Sequence, residues 1–217
     1  MINPTAWPQL WLPPGTMGWV LPHFAQVSLA QIVLFIALGL VIGSFVNVLI
    51  HRLPQMILKA DEDQPVVFNL GTPRSHCPHC LHTLSWYELI PVLSFCSSWG
   101  RCRHCNQAIA FRYPLVEILT AVLFGLSVLK FGFGYSALLG AFFCAALFAL
   151  AWIDAETFLL PDLLTQALLW VGLIGSALSL TPTPLMDSLS GAVLGYGLLW
   201  LVSWGFEQIA GKEGMGQ

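Results

Sequence analysis

Two pairs of cysteines, Cys77-Pro-His-Cys80 and Cys102-Arg-His-Cys105, and three carboxylates, Asp154, Glu156 and Asp162, are the residues whose types and spacing could do chemistry. A C-x-x-C turn presents two thiolates from one tight bend, and two such turns complete the tetrahedral sulfur set that Zn²⁺ prefers. Residues 81–101 separate the two knuckles, slightly more than the about 15–20 residues usual for such pairs. A metal centre at Cys77, Cys80, Cys102 and Cys105 is therefore expected, with a redox pair or unliganded thiols as the alternatives. His76, His79, His82 and His104 could replace a thiolate but are expected to be loop residues or to support the ligands through hydrogen bonds. Cys96 and Cys144 fit neither knuckle and are expected to be buried small apolar residues.

The carboxylates stand between two long apolar runs. Residues 135–153 and 163–180 contain no charged side chain, so Asp154 lies where a helix leaves hydrocarbon and Asp162 where the next one enters. An ionisable group at such a depth is a functional candidate. The alternative is a short polar turn that needs charges to stay out of the bilayer, with Pro161 starting the following helix. In the first turn of that helix Asp162 would complement the positive end and take up free amides, whereas Asp154 faces the negative end of its own helix. Asp162 thus has a structural reason to exist that Asp154 lacks.

The elements that position these groups follow from composition. Of the 217 residues only 9% are charged and the mean hydropathy is +0.76, against about 25% charged in a soluble domain, so the sequence predicts an all-α polytopic membrane protein. Five segments are long enough to cross about 30 Å of hydrocarbon: 29–50, 114–129, 135–153, 163–180 and 189–210. Residues 1–28 contain no Lys or Arg, unlike the start of a cleavable signal peptide. They are read as an interfacial, periplasmic lead-in carrying Trp7, Trp11 and Trp19.

Arg52, Lys59, Arg74, Arg101, Arg103 and Arg112 all fall in the loop between the first two spans, Lys212 follows the fifth, and Lys130 alone falls on the other side. Basic residues mark the cytoplasmic face, so the amino terminus is expected outside and the loop inside with Asp154 and Asp162. The organisation is then 1–28, the lead-in; 29–50, the first transmembrane helix; 51–113, a cytoplasmic cysteine-rich zinc-binding domain; and 114–217, a membrane domain. The loop opens with Lys59-Ala-Asp-Glu-Asp-Gln-Pro, expected to be mobile. No nucleic-acid signature accompanies the net charge of −3. In the first span Gly39 and Gly43 form a G-x-x-x-G spacing that lets another helix approach, and the amide of Asn47 needs a hydrogen-bond partner. Glu117, about one turn inside the second span, is expected either to pair with Arg112 or to face the bundle.

Several motifs in order carry a resemblance. They are Gly43-Ser-Phe-Val-Asn47 through Arg52-Leu-Pro54, the two knuckles around Trp86-Tyr-Glu88-Leu-Ile-Pro91, Arg112-Tyr-Pro-Leu-Val-Glu117, and Ile153-Asp154 followed by Leu160-Pro161-Asp162. From about residue 38 to 217 the chain resembles the bacterial type IV prepilin peptidases, which are bifunctional leader peptidase/N-methyltransferases. The resemblance implies an inner-membrane aspartic peptidase. It would cut the leader from type IV prepilins and type II secretion pseudopilins, then methylate the new amino terminus from S-adenosylmethionine. It matches Asp154 to one catalytic aspartate and leaves the residues that bind S-adenosylmethionine unassigned.

The second catalytic aspartate of that family follows a Gly-x-Gly-x-Gly run. Here the sequence reads Gly214-Met-Gly216-Gln217, so a fragment or a natural truncation is expected, in which Asp154 lacks the carboxylate it must share a proton with. Glu156, Asp162, Glu207 and Glu213 are poor substitutes. The alternative to an enzyme is a non-catalytic zinc-knuckle membrane module that binds prepilins or assembly proteins.

Overall fold

The structure, a computed structural model, describes residues 27–59 and 69–210. The tryptophans of the lead-in, the 60–65 part of the loop opening, Lys212, Glu213 and the terminal glycine run lie outside these residues. Among the described residues there are six α-helices and one 3-10 turn, and no strand beyond two isolated bridges. The all-α expectation holds. Helix α1 spans Leu29–Lys59, α2 Leu93–Ser97, α3 Arg112–Phe131, α4 Tyr135–Thr157, α5 Asp162–Ala177 and α6 Leu185–Ala210. Helices α1, α3, α4 and α6 are long and apolar enough to cross a membrane. Helix α5 stops at Ala177, short of the expected 180, and its 16 residues reach about 24 Å at 1.5 Å per residue.

The core is the triangle of α1, α3 and α4. Gly39 and Gly43 are where α1 crosses α3. A Cβ on Gly39 would lie 2.7 Å from the Ala121 Cα, and one on Gly43 2.7 Å from the Glu117 Cα, so only glycine permits this approach. On α4 the alanines 137, 141, 145 and 149 recur every four residues, continue to Ile153, and are all buried. That period puts one stripe against α1 and α3. The buried hydroxyls in this core are satisfied by backbone: Thr120 donates to the Val116 carbonyl of its own helix at 2.8 Å and Ser127 to the Ala137 carbonyl of α4 at 2.7 Å. Helix α5 packs on α4 and α6 on α5, joined at one end by hydroxyl contacts of Ser176 with Thr181 and Ser188 at 2.9 and 2.7 Å.

Helix α1 does not end at residue 50. It continues through His51-Arg52-Leu53-Pro54 to Lys59, so the first nine residues expected in the loop are helical. The reason is Arg52, which is buried and donates to the carbonyls of Asn69 at 2.9 Å, Leu70 at 3.3 Å and Pro73. Cys96 and Cys144 are exposed rather than buried. Cys144 lies on α4 three residues past Ala141 and one before Ala145, beside the buried stripe rather than in it; Cys96 lies on the short α2, none of whose residues is buried.

Candidate functional site

The two knuckles fold alike. In the first, the Cys77 amide donates to the His82 carbonyl and the Leu81 amide to the Cys77 carbonyl, at 3.0 and 2.9 Å. In the second, Cys102 donates to Gln107 and Asn106 to Cys102, both at 2.9 Å. The fourth residue after the leading cysteine, Leu81 or Asn106, adopts φ of 58° or 56°, the left-handed bend that brings the chain back under the sulfurs. The bridges His76 to Thr83 and Arg101 to Ala108 close the two turns, and the His82 and His104 rings lie against each other with centroids 3.5 Å apart and planes tilted by 35°.

This symmetry brings the four thiols of Cys77, Cys80, Cys102 and Cys105 within 4.8 Å of one another. Cys77 and Cys105 sulfurs are 3.8 Å apart, and Cys80 and Cys102 sulfurs 4.0 Å. A tetrahedron with metal–sulfur bonds of about 2.3 Å has edges of about 3.8 Å, so the set can hold a metal ion. No disulfide links the six cysteines. The amides of Cys105 and His104 pull the Cys102 thiol down to about 6. Cys105 is pushed up to about 11: the Gln107 amide acts against this, and desolvation with the hydrogen bonds its S–H gives to the sulfurs of Cys102, Cys80 and Cys77 outweighs it. Four crowded sulfurs do not all ionise without a cation between them. The four knuckle histidines stand outside the sulfur cluster.

Asp154 lies in the last turn of α4, its carbonyl accepting the Phe158 amide at 2.9 Å, and Phe158 ends the helix with φ 56°. One residue past buried Ile153, it is turned away from the core stripe by about 100° and is exposed. Asp162 opens α5. The Leu164 and Thr165 amides bond to the Pro161 carbonyl, and among the described residues no bond from the Asp162 carboxylate to a helix amide is present. The capping role expected for it therefore reduces to its charge near the positive helix end.

Glu117 does not pair with Arg112. Its carboxylate faces inward, accepting from the Val92 amide at 2.8 Å. Arg112 instead meets Glu156 at 3.1 Å, and Glu156 also accepts the Trp152 indole N–H at 2.8 Å. The start of α3, just after the knuckle domain, is thereby tied to the turn that carries Asp154, at one end of the bundle. Asn47 donates to the Tyr113 carbonyl at 3.0 Å. Between the knuckle domain and the ends of α1 and α3 is a cavity of about 300 Å³, reached by Asn47, Glu117, Glu88, Phe95 and Arg101. No sequence pattern marked it, because its walls come from α1 and from several stretches between residues 73 and 117.

The description "Bacterial Peptidase A24 N-terminal domain" matches residues 37–131, and "Type IV leader peptidase family" matches residues 141–217. A Pseudomonas aeruginosa protein named prepilin leader peptidase/N-methyltransferase is 42% identical over 209 residues, 91% of this chain and 72% of the relative. The chain belongs to the type IV leader peptidase family. A Burkholderia pseudomallei member of the same name is 42% identical over 200 residues, 86% of this chain and 64% of the relative. One from Neisseria gonorrhoeae is 40% identical over 192 residues, 82% of this chain and 67% of the relative. The chain thus spans about two thirds of the length of these family members. No solved structure matches. Both family matches meet the site: the first contains the knuckles, Asn47 and Glu117, and the second contains Asp154 and Asp162.

Proposed function

We propose that the protein is a bacterial inner-membrane aspartic peptidase and N-methyltransferase. It removes the leader of type IV prepilins and pseudopilins and methylates the new amino terminus from S-adenosylmethionine. The observation that carries this reading is Asp154, an exposed carboxylate in the last turn of α4, at the bundle end that bears the knuckle domain. In this reading Asp154 is one half of a dyad. One carboxylate takes a proton from water while the other protonates the carbonyl oxygen or the leaving amine. Glu156 is engaged by Arg112 and Trp152, so it is not that second group. The family's second aspartate is not among the 217 residues.

Residues 51–113 act as the zinc-binding domain and 114–217 as part of the peptidase domain. Zn²⁺ at Cys77, Cys80, Cys102 and Cys105 is structural, since four thiolates leave no open coordination position. S-adenosylmethionine supplies the methyl group when bound. The knuckle domain and the 154–162 turn face the cytoplasm, a reading supported by Arg52, Arg74, Arg101, Arg103 and Arg112 at that end.

The test extends the chain with the segment of a family member that carries its second aspartate. Prepilin cleavage and methylation are then followed in bilayers. Asp154→Asn is expected to abolish cleavage while methylation of an already cleaved substrate persists. Asp162→Asn is expected to lower stability more than turnover. Cleavage at the parental rate by Asp154→Asn sinks the assignment, and binding of prepilin without cleavage in any form favours the non-catalytic module.

A further inference from the structure

The segment between the two knuckles carries apolar side chains that neither the thiol cluster nor the Asp154 turn uses. The 3-10 turn spans Trp86–Leu89 and α2 begins at Leu93. Around them Tyr87, Leu89, Ile90, Leu93 and Trp99 are exposed, Leu93 at 66% and Trp99 at 90%. So many apolar side chains on one short segment mark a contact surface. Trp99 also holds a φ of 54°, a left-handed bend that glycine or asparagine fills without a bulky residue's strain. Neither burial nor turn chemistry accounts for a tryptophan there.

Two sets of contacts fix the height of this segment against α3. The Val92 amide donates to the Glu117 carboxylate at 2.8 Å. Glu117 is five residues past the start of α3, about 7.5 Å along its axis, and a helical side chain leans back toward the start of its helix by about a turn. Val92 therefore lies beside the first turns of α3 and not above them. The Phe95 ring meets that of Phe111, the residue before α3, with centroids 6.2 Å apart. Gly100 packs on Phe95, where an added Cβ would come within 2.9 Å of the ring, so Trp99 sits near the level at which α3 starts. The 20 residues of α3 match about 30 Å of hydrocarbon without surplus, which puts its first turns where headgroups give way to acyl chains. Next to Glu117, Ile118 and Leu119 are exposed, as suits a helix surrounded by lipid at that level.

Backbone at membrane depth must find its hydrogen-bond partners within the protein. Here Pro91 has no N–H, and the amides of Leu93, Ser94 and Cys96 bond to the carbonyls of Pro91, Ile90 and Val92. The amide of Val92 is taken by Glu117, which gives that buried carboxylate a reason to lie inside a span.

We propose that residues 87–99 form a membrane-embedded element. Ile90 and Leu93 enter the acyl boundary, Tyr87 and Trp99 lie among the headgroups, and Glu117 tethers the element through the Val92 amide. Aromatic side chains with one polar edge concentrate at that depth. Arg101 and Arg103, exposed just past Trp99, suit anionic headgroups. Contact with lipid here follows from the spanning helices alone, whichever reaction the protein performs.

The experiment uses the purified chain, one copy per nanodisc of phosphatidylethanolamine and phosphatidylglycerol. A nitroxide is attached at Leu93→Cys or Ala108→Cys in a background lacking Cys96 and Cys144, with Zn²⁺ present to protect the knuckle thiols. Its relaxation by oxygen, which partitions into the bilayer, is compared with its relaxation by a water-soluble nickel chelate. The oxygen-to-nickel ratio is expected to be several-fold higher at 93 than at 108. Trp99 emission, taken as the difference between the parent and Trp99→Phe, should be quenched by lipids brominated near the carboxyl end of their chains and be insensitive to iodide. Glu117→Leu should move the ratio at 93 toward that at 108, whereas Glu117→Gln, whose amide oxygen still accepts, should leave it in place. Equal ratios at 93 and 108, or Trp99 emission quenched by iodide and not by brominated lipid, overturn the embedded element. A label at 93 shielded from both relaxants would mean that protein covers this face, and overturns it as well. A parental ratio in Glu117→Leu, in a chain that keeps its zinc, overturns the tether.

Discussion

Arg112 and Glu156, 44 residues apart, meet at 3.1 Å and tie the first turn of α3 to the last turn of α4. Both side chains are partly exposed, at 30% and 39%, so the pair is screened and its coupling is expected to be about 0.2–1 kcal/mol. A double-mutant cycle of Arg112→Gln and Glu156→Gln, followed by unfolding in mixed micelles, measures it. A coupling that does not weaken as salt is raised would contradict the ion-pair account.

Close approach at Gly43 yields a second prediction. Gly43→Ala sets a methyl group 2.7 Å from a backbone atom of α3, and backbone cannot move aside as a flexible side chain can. A loss of about 1–3 kcal/mol is expected. Gly195→Ala, which meets nothing within 4 Å, should stay within about 0.5 kcal/mol of the parent. Equal effects at the two positions in the same unfolding assay would remove the crossing argument.

Metal analysis of the purified chain should find about one Zn²⁺, with Zn–S distances of about 2.3 Å by X-ray absorption. Cys77→Ser with Cys105→Ser should lose it, and Cys96→Ser with Cys144→Ser should keep it. Because the ligands are thiolates, protons compete with the metal. Occupancy should therefore fall as pH is lowered, and rise again on neutralisation with added Zn²⁺. Zinc retained in full by the Cys77/Cys105 pair of substitutions is the contrary result.

Orientation is checked by labelling introduced cysteines from each side of the membrane in a background lacking Cys96 and Cys144. Ala108→Cys, exposed beside the second knuckle, should react only from the cytoplasmic side. Thr183→Cys, between α5 and α6, should react only from the other. Labelling of Ala108→Cys from outside would reverse the topology.

Much of the molecule is determined by sequence alone, because the physical signals involved are local. Apolar runs bounded by charges have few fates other than membrane-length helices, and the C-x-x-C turns set their own geometry within six residues. The G-x-x-x-G spacing and the charge-free runs on either side of Asp154 and Asp162 are equally local. What only tertiary structure decided concerns partners distant in the chain. Arg112 could have met Glu117 five residues away, yet it meets Glu156, because Glu117 sits on the face of α3 that packs against Gly43 while the end of α4 comes alongside the start of α3. The extension of α1 through Arg52 depends on carbonyls at 69–73 that accept its guanidinium. The oxygen of Asn47 is left buried without a partner only once Tyr113 has taken its amide hydrogen. Local pattern specifies which segments form; which of their polar atoms remain unsatisfied is settled only when the segments pack.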